Sequence, residues 1–153
     1  MTSIPIDLKN KALETPKINA AVVCPNEESV LLAVKEAKEI NLINPILIGK
    51  KSLIKKTANQ VNLEINSYNI IEINNEQEAA TVACKLAHED KVKIIIKGNL
   101  HTDILMRYYL KKEFNLLVGR RLSHIWHVTA QKLNKPLFIT DGALNVLPRV
   151  DIK

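Results

Sequence analysis

The order of apolar runs along this chain limits its fold more than any other feature. Short strand-like runs at 20–23, 45–48, 69–73 and 93–96 alternate with segments whose apolar residues recur at helical spacing. The clearest helical segment follows residue 26, where Val30, Ala33, Val34, Ala37 and Ile40 share one face. Strand–helix alternation with short connections predicts an α/β architecture whose sheet is parallel through its first four strands. Two further strand-like runs, 123–128 and 137–140, have no helix between them and can pair antiparallel. At 153 residues the chain suits a single domain, 1–153. That length buries enough surface for a core without disulfide or metal staples.

Helix starts are readable as well. Asn26 is placed to cap the helix that carries Glu27 and Glu28 in its first turn. A weaker helix covers 52–60. Asn75 and Glu78 have capping-box spacing, and Ala79, Val82, Ala83 and Leu86 give the following helix a narrow face of small apolar residues. The strand at 93–96 ends at Lys97 and Gly98, and Thr102 is placed to cap the next helix. Ile104, Leu105, Tyr108, Tyr109 and Leu110 form a broad apolar face on that helix, with Arg107 and Lys111 off it. In parallel sheets ligands collect at the carboxyl ends of strands. The loops to watch therefore follow Val23, Ile48, Ile96 and Thr140.

Composition removes several function classes. Four glycines, at 49, 98, 119 and 142, cannot build a G-x-G-x-x-G or Walker loop. There is no G-x-S-x-G elbow and no H-E-x-x-H motif. Cys24 and Cys84 are isolated, which suits two reduced, buried thiols better than a zinc site or a disulfide framework. His124 and His127 fall on a strand, where a spacing of three sends side chains to opposite faces, so no metal is expected. The net charge of +6 favours anionic partners. Its lysines are spread along the whole chain, and aromatics make up only 4%, too few for a base-stacking platform, so nucleic acid is not expected. No apolar run is long enough to span a membrane, and the first residues have no signal-peptide core. A cytoplasmic protein is the expectation.

The segment KGNLHT, 97–102, joins a strand end to a helix start. Gly98 lets something approach the backbone closely, and a helix start offers free N–H groups to an anion. The alternative is structural: a strand-end glycine, a capping threonine and a surface arginine. KVKIIIKGNLHTDILMRYYL resembles the strand–loop–helix of the phosphate acetyltransferase/butyryltransferase family, whose pattern is M-K-G-x-x-x-T-x-x-L-L-[KR], with Lys97, Gly98, Thr102 and Arg107 on its fixed points. RRLSHIWHV, 120–128, resembles the family's L-S-H-V-x-V segment, and FITDGALNVLP, 138–148, resembles its T-D-x-A-x-N-x-x-P. Upstream, 20–50 resembles the family opening, whose strand ends near I-L-[VI]-G. The L-S-H at 122–124 leans toward the butyryl branch.

The resemblance implies a three-layer sandwich with a mainly parallel sheet, like the first domain of the isocitrate/isopropylmalate dehydrogenase-like fold. It implies reversible acyl transfer between coenzyme A, as co-substrate, and inorganic phosphate, giving an acyl phosphate. No tightly bound cofactor, metal chemistry or covalent acyl-enzyme is implied. Lys97, Gly98, Thr102, Arg107, Ser123 and His124 would be the substrate-binding contributors, with Arg107 on the anion side of the cleft. Asp141 and Asn145 match a turn that is mainly structural. The family's Ser-Arg-x-Asp run, which supplies the base, has no match here, so none of these residues is assigned as catalytic. The chain is therefore expected to resemble the N-terminal domain of such an enzyme, without the second domain or the C-terminal return segment. It would be inactive alone and would associate as a homo-oligomer or with a separately encoded C-terminal half. The alternative is an inactive remnant that still binds phosphate or coenzyme A.

Overall fold

A computed structural model describes residues 5–117, 119, 122–129 and 136–140 of the chain. It divides into two compact units, one of residues 7–116 and one that takes in 117–153 with residues 1–6.

The larger unit is built on four parallel strands: β1 (Ile18–Val23), β2 (Ile43–Gly49), β3 (Asn69–Glu72) and β4 (Ile94–Lys97), in the order β3-β2-β1-β4. Central β1 is the most deeply buried, with Ala20, Ala21, Val22 and Val23 all inaccessible to solvent. Its residues alternate between the two faces, as a strand's must. Ala21 and Val23 meet one apolar cluster and Val22 meets the other.

The helices follow from the same pattern. α1 (Ile6–Leu13) precedes the sheet. α2 (Glu28–Glu39) and α3 (Lys51–Gln60) place Leu31, Val34, Ile54 and Ala58 against Val22 and Leu47. On the opposite face α4 (Glu76–His88) sets Ala79, Ala80 and Ala83 against Ala21, Val23 and Ile48, joined by α5 (Thr102–Tyr109) through Ile104, Leu105 and Tyr108. Helices on both faces make three layers, which is the expected architecture. Alanines on α4 let helix and sheet approach closely. Pro45 pairs with Ala20 of β1, while β3 first pairs with β2 at Ile46. The proline therefore sits where β2 has one neighbour, which suits a residue with no N–H to donate.

α1 has no buried residue and no core-facing stripe, which leaves it without a signal in the sequence. Two capping expectations need correction. α2 is capped by Glu27 in extended conformation, not by Asn26, with no side-chain capping bond. α5 is capped by His101, which leaves Thr102 as the first helical residue rather than the cap. The α4 cap is the expected Asn75, whose side chain accepts from the Glu78 N–H at 2.7 Å, while the Glu78 carboxylate accepts from the Asn75 side-chain NH2 at 3.1 Å. A short 3-10 helix, Lys112–Phe114, follows α5, and its Phe114 carbonyl lies 2.7 Å from His88 Nδ1.

In the smaller unit β5 (Ile125–Val128) pairs antiparallel with β6 (Leu137–Thr140), with Trp126 opposite Ile139 and His127 opposite Phe138. The expected antiparallel pair is present, starting two residues later than the run at 123. Among the described residues no helix is long and apolar enough to cross a membrane.

Candidate functional site

Beyond the strands, the backbone at the carboxyl end of the sheet stays hydrogen-bonded. Cys24 N–H donates to Ile48 at 2.7 Å, Gly98 N–H to Val23 at 2.8 Å, and Asn99 N–H to Cys24 at 2.8 Å. The loop after β1 is thereby tied to the end of β2 and to the loop after β4. Gly98 carries this arrangement: a Cβ there would stand 2.4 Å from the Cys24 carbonyl oxygen and 2.7 Å from that of Val23. The close approach that Gly98 permits is made by the chain itself. Gly49, at φ +152°, turns the chain out of β2 in a conformation that favours glycine, with Cys24 Cα 3.4 Å from where its Cβ would be.

A cavity of about 120 Å³ opens among these loops. Its walls include Cys24 and Asn26 after β1, Lys50 at the start of α3, Ile73 and Glu76 after β3, and Asn99 after β4. The loops after Val23, Ile48 and Ile96 thus do converge, whereas the loop after Thr140 lies outside the described residues. Cys24 itself adopts a left-handed φ of +51° and is half-buried. Burial, reinforced by the charge of Glu76, pushes its thiol up to about 11. Cys84 is fully buried in α4, and burial alone pushes it to about 11. Of the two cysteines expected to be buried, only Cys84 is fully so. Among the described residues no cluster of three metal-binding side chains occurs.

Of the residues singled out from sequence, Lys97, Gly98, Thr102 and Arg107 lie near cavity-lining Asn99 in the chain. None of these lines the cavity. Lys97 ends β4 and folds its amine over its own loop, donating to the carbonyls of Gly98 at 3.2 Å and Leu100 at 3.0 Å. Thr102 is exposed at the start of α5, a helix start with no side-chain cap. Arg107 lies a turn further along, paired with Asp103 at 3.5 Å, and both side chains are mostly exposed. Such a pair holds the guanidinium only weakly, so it remains available to an anion. Lys97, Gly98, Thr102 and Arg107 therefore share one strand–loop–helix. Ser123 and His124 belong to the smaller unit, where Ser123 is exposed and the His124 ring meets Trp126 edge-on at 6.2 Å. Arg120, Asp141 and Asn145 lie outside the described residues. Cys24, Asn26, Lys50 and Glu76 were not singled out as site residues in the sequence. Their signal was positional: each follows the carboxyl end of a strand.

No protein-family model matches the chain. It is 36% identical over 148 residues to a phosphate acetyltransferase of Rickettsia felis, covering 97% of this chain and 42% of that protein. It is 33% identical over 142 residues to a phosphate butyryltransferase of Clostridium beijerinckii, covering 93% of this chain and 47% of that one. The chain is a homologue of the phosphate acetyl- and butyryltransferases. It spans less than half the length of these curated relatives, and the match fits their N-terminal part. Acetyl- and butyryl-named homologues stand at nearly equal identity, so the leaning toward the butyryl branch gains no support. A branched-chain phosphotransacylase from Enterococcus faecalis shares the fold with a TM-score of 0.63 at 19% identity, over 88% of this chain and 46% of that one. A phosphotransacetylase from Streptococcus pyogenes gives 0.66 at 12% identity, over 89% and 51%. Phosphotransacylase folds therefore include this α/β unit with its parallel sheet.

Proposed function

We propose that this chain supplies one wall of an acyl-transfer site, where an acyl group passes between coenzyme A and inorganic phosphate. The observation that carries this is a homology to phosphate acyltransferases that runs through nearly the whole chain. Exposed Arg107 and the uncapped start of α5 at Thr102 offer positive charge and N–H groups to a phosphate. Lys97 and Gly98 hold the adjoining loop in shape. Ser123 and His124 of the smaller unit are proposed as substrate contacts on their match to the family's L-S-H segment alone. The chemistry needed is positioning and electrostatic stabilisation of the oxyanion and phosphate. No Ser-Arg-x-Asp run is present to deprotonate the thiol of coenzyme A. A second polypeptide segment carrying that run is part of the proposal. So are a first domain spanning all 153 residues, its likeness to the isocitrate/isopropylmalate dehydrogenase-like fold, and a cytoplasmic location.

Titration with inorganic phosphate, followed by amide chemical shifts, tests the binding half of this reading. Phosphate should move the amides at 97–107, and Arg107→Ala should weaken the effect about tenfold, the scale of one charge-assisted contact. Equal binding by the variant would contradict it.

A further inference from the structure

The sheet has an open edge at β3. Among the described residues β3 pairs only with β2. Successive residues of a strand turn their N–H and C=O groups to opposite sides. The Ile73 N–H donates to Gly49 at the end of β2, at 3.1 Å. Asn69 and Ile71 share its parity and therefore face β2 as well. Ile70 and Glu72 turn their N–H and C=O groups to the open edge, where a further strand can bond them. Tyr68 has the same parity, but its N–H already donates to Ile65 at 3.0 Å.

The side chains alternate too. Ile71 and Ile73 pack on the α4 face, and Tyr68 and Ile70 on the α3 face. Glu72 belongs to the α3 face by its parity, and it is exposed. On that face Lys51 and Lys55 of α3 line a cavity of about 260 Å³ together with Asn66, Tyr68 and Ile70. Among the described residues none of Lys51, Lys55 and Glu72 forms an ion pair. Two lysines four apart on one helix also repel each other. A carboxylate from outside the protomer would relieve both.

We infer that two copies of this chain join antiparallel at their β3 edges, in a register centred on Ile71. A two-fold axis normal to the sheet keeps each face continuous, so residues that stand opposite must share a parity. With Ile71 opposite the partner's Ile71, Ile70 stands opposite the partner's Glu72. Every free N–H and C=O of the two edges then finds a partner. A register centred on Ile70 would set Glu72 against Tyr68, whose N–H is already used. Directly opposite side chains lie roughly 5 Å apart at Cβ. The partner's Glu72 therefore comes beside Ile70, at the cavity that holds Lys51 and Lys55, and by symmetry this contact forms twice. The occupant is a second copy because the charge that complements the two lysines stands on the very strand that must pair.

Hydrogen exchange on the unaltered chain tests this, at a concentration where sedimentation gives a dimer and again after dilution to monomer. The amides of Ile70 and Glu72 should exchange about tenfold or more slowly in the dimer, because only there are they hydrogen-bonded. Glu72→Lys should weaken dimerisation about tenfold or more, since two charge-assisted contacts become repulsive. Lys55→Glu should weaken it in the same way, and the two substitutions combined should recover much of the loss. Both positions are exposed. A chain that stays monomeric would overturn the inference. So would a dimer whose Ile70 and Glu72 amides exchange as in the monomer, or charge reversals that leave dimerisation unchanged. None of these outcomes depends on phosphate binding at Arg107 or on acyl transfer.

Discussion

Gly98 and Cys24 are packed so tightly that a single methyl group cannot stand between them: a Cβ on Gly98 would lie 2.4 Å from the Cys24 carbonyl oxygen. The obstacle is backbone, held in place by the bond from Asn99 N–H to that same oxygen. Gly98→Ala should therefore separate the loops after β1 and β4 and destabilise the chain by about 2 kcal/mol or more, the upper part of the overpacking range. Urea unfolding measures this. A change within a few tenths of a kcal/mol would mean the loops yield freely.

Much of this arrangement was legible beforehand. The four parallel strands follow from apolar runs spaced by helical segments, and Gly98 stood out as a close-approach position. What approaches it was not legible, because Val23 and Cys24 lie more than seventy residues earlier and meet it only through β1–β4 pairing. The cavity was hidden for the same reason. Asn26, Lys50 and Glu76 come from three loops with no shared motif, and only the sheet order brings them together. Caps were readable where a side chain does the work, as at Asn75, and misplaced where only backbone does, as at Glu27 and His101.

Asn75→Ala removes the acceptor that serves the Glu78 N–H. The expected cost is about 1 kcal/mol, while Asn75→Asp should keep most of it. Equal losses in both variants, measured by thermal unfolding, would show that the cap is not the source.

Cys24 and Cys84 are both pushed from 9.0 to about 11, by burial in each case, with Glu76 adding to the effect at Cys24. A raised pKa means the folded state resists forming the thiolate. Stability from this source is complete below pH 9 and is lost as pH rises through about 11. Alkylation of Cys24 at pH 8 should run about a hundredfold slower than that of a free peptide thiol, since the nucleophile is the thiolate. Glu76→Gln should speed it, because the charge holding the proton is gone. Fast alkylation of the folded chain at pH 8 would contradict this.

Apolar surface is exposed in both units. Trp126, Ile125 and Phe138 on the hairpin are 61%, 67% and 59% accessible. In the larger unit Val30, Ala33, Ala37, Ile43 and Ile96 line an apolar groove of about 380 Å³ between α2, β2 and edge strand β4. Surfaces of this kind drive association. Sedimentation should show a dimer or larger species at micromolar concentration, and a stable monomer throughout would contradict it.

The most direct test of the proposed role is an assay of acyl-CoA-dependent acyl phosphate formation, with acetyl-CoA and butyryl-CoA. This chain is measured alone and after co-expression with the part of the Rickettsia felis relative that it does not match. The predicted result is no turnover alone, turnover in the reconstituted pair, and loss of that turnover with Arg107→Ala. Ordinary turnover by the chain alone, or a soluble pair that stays inactive, would contradict it.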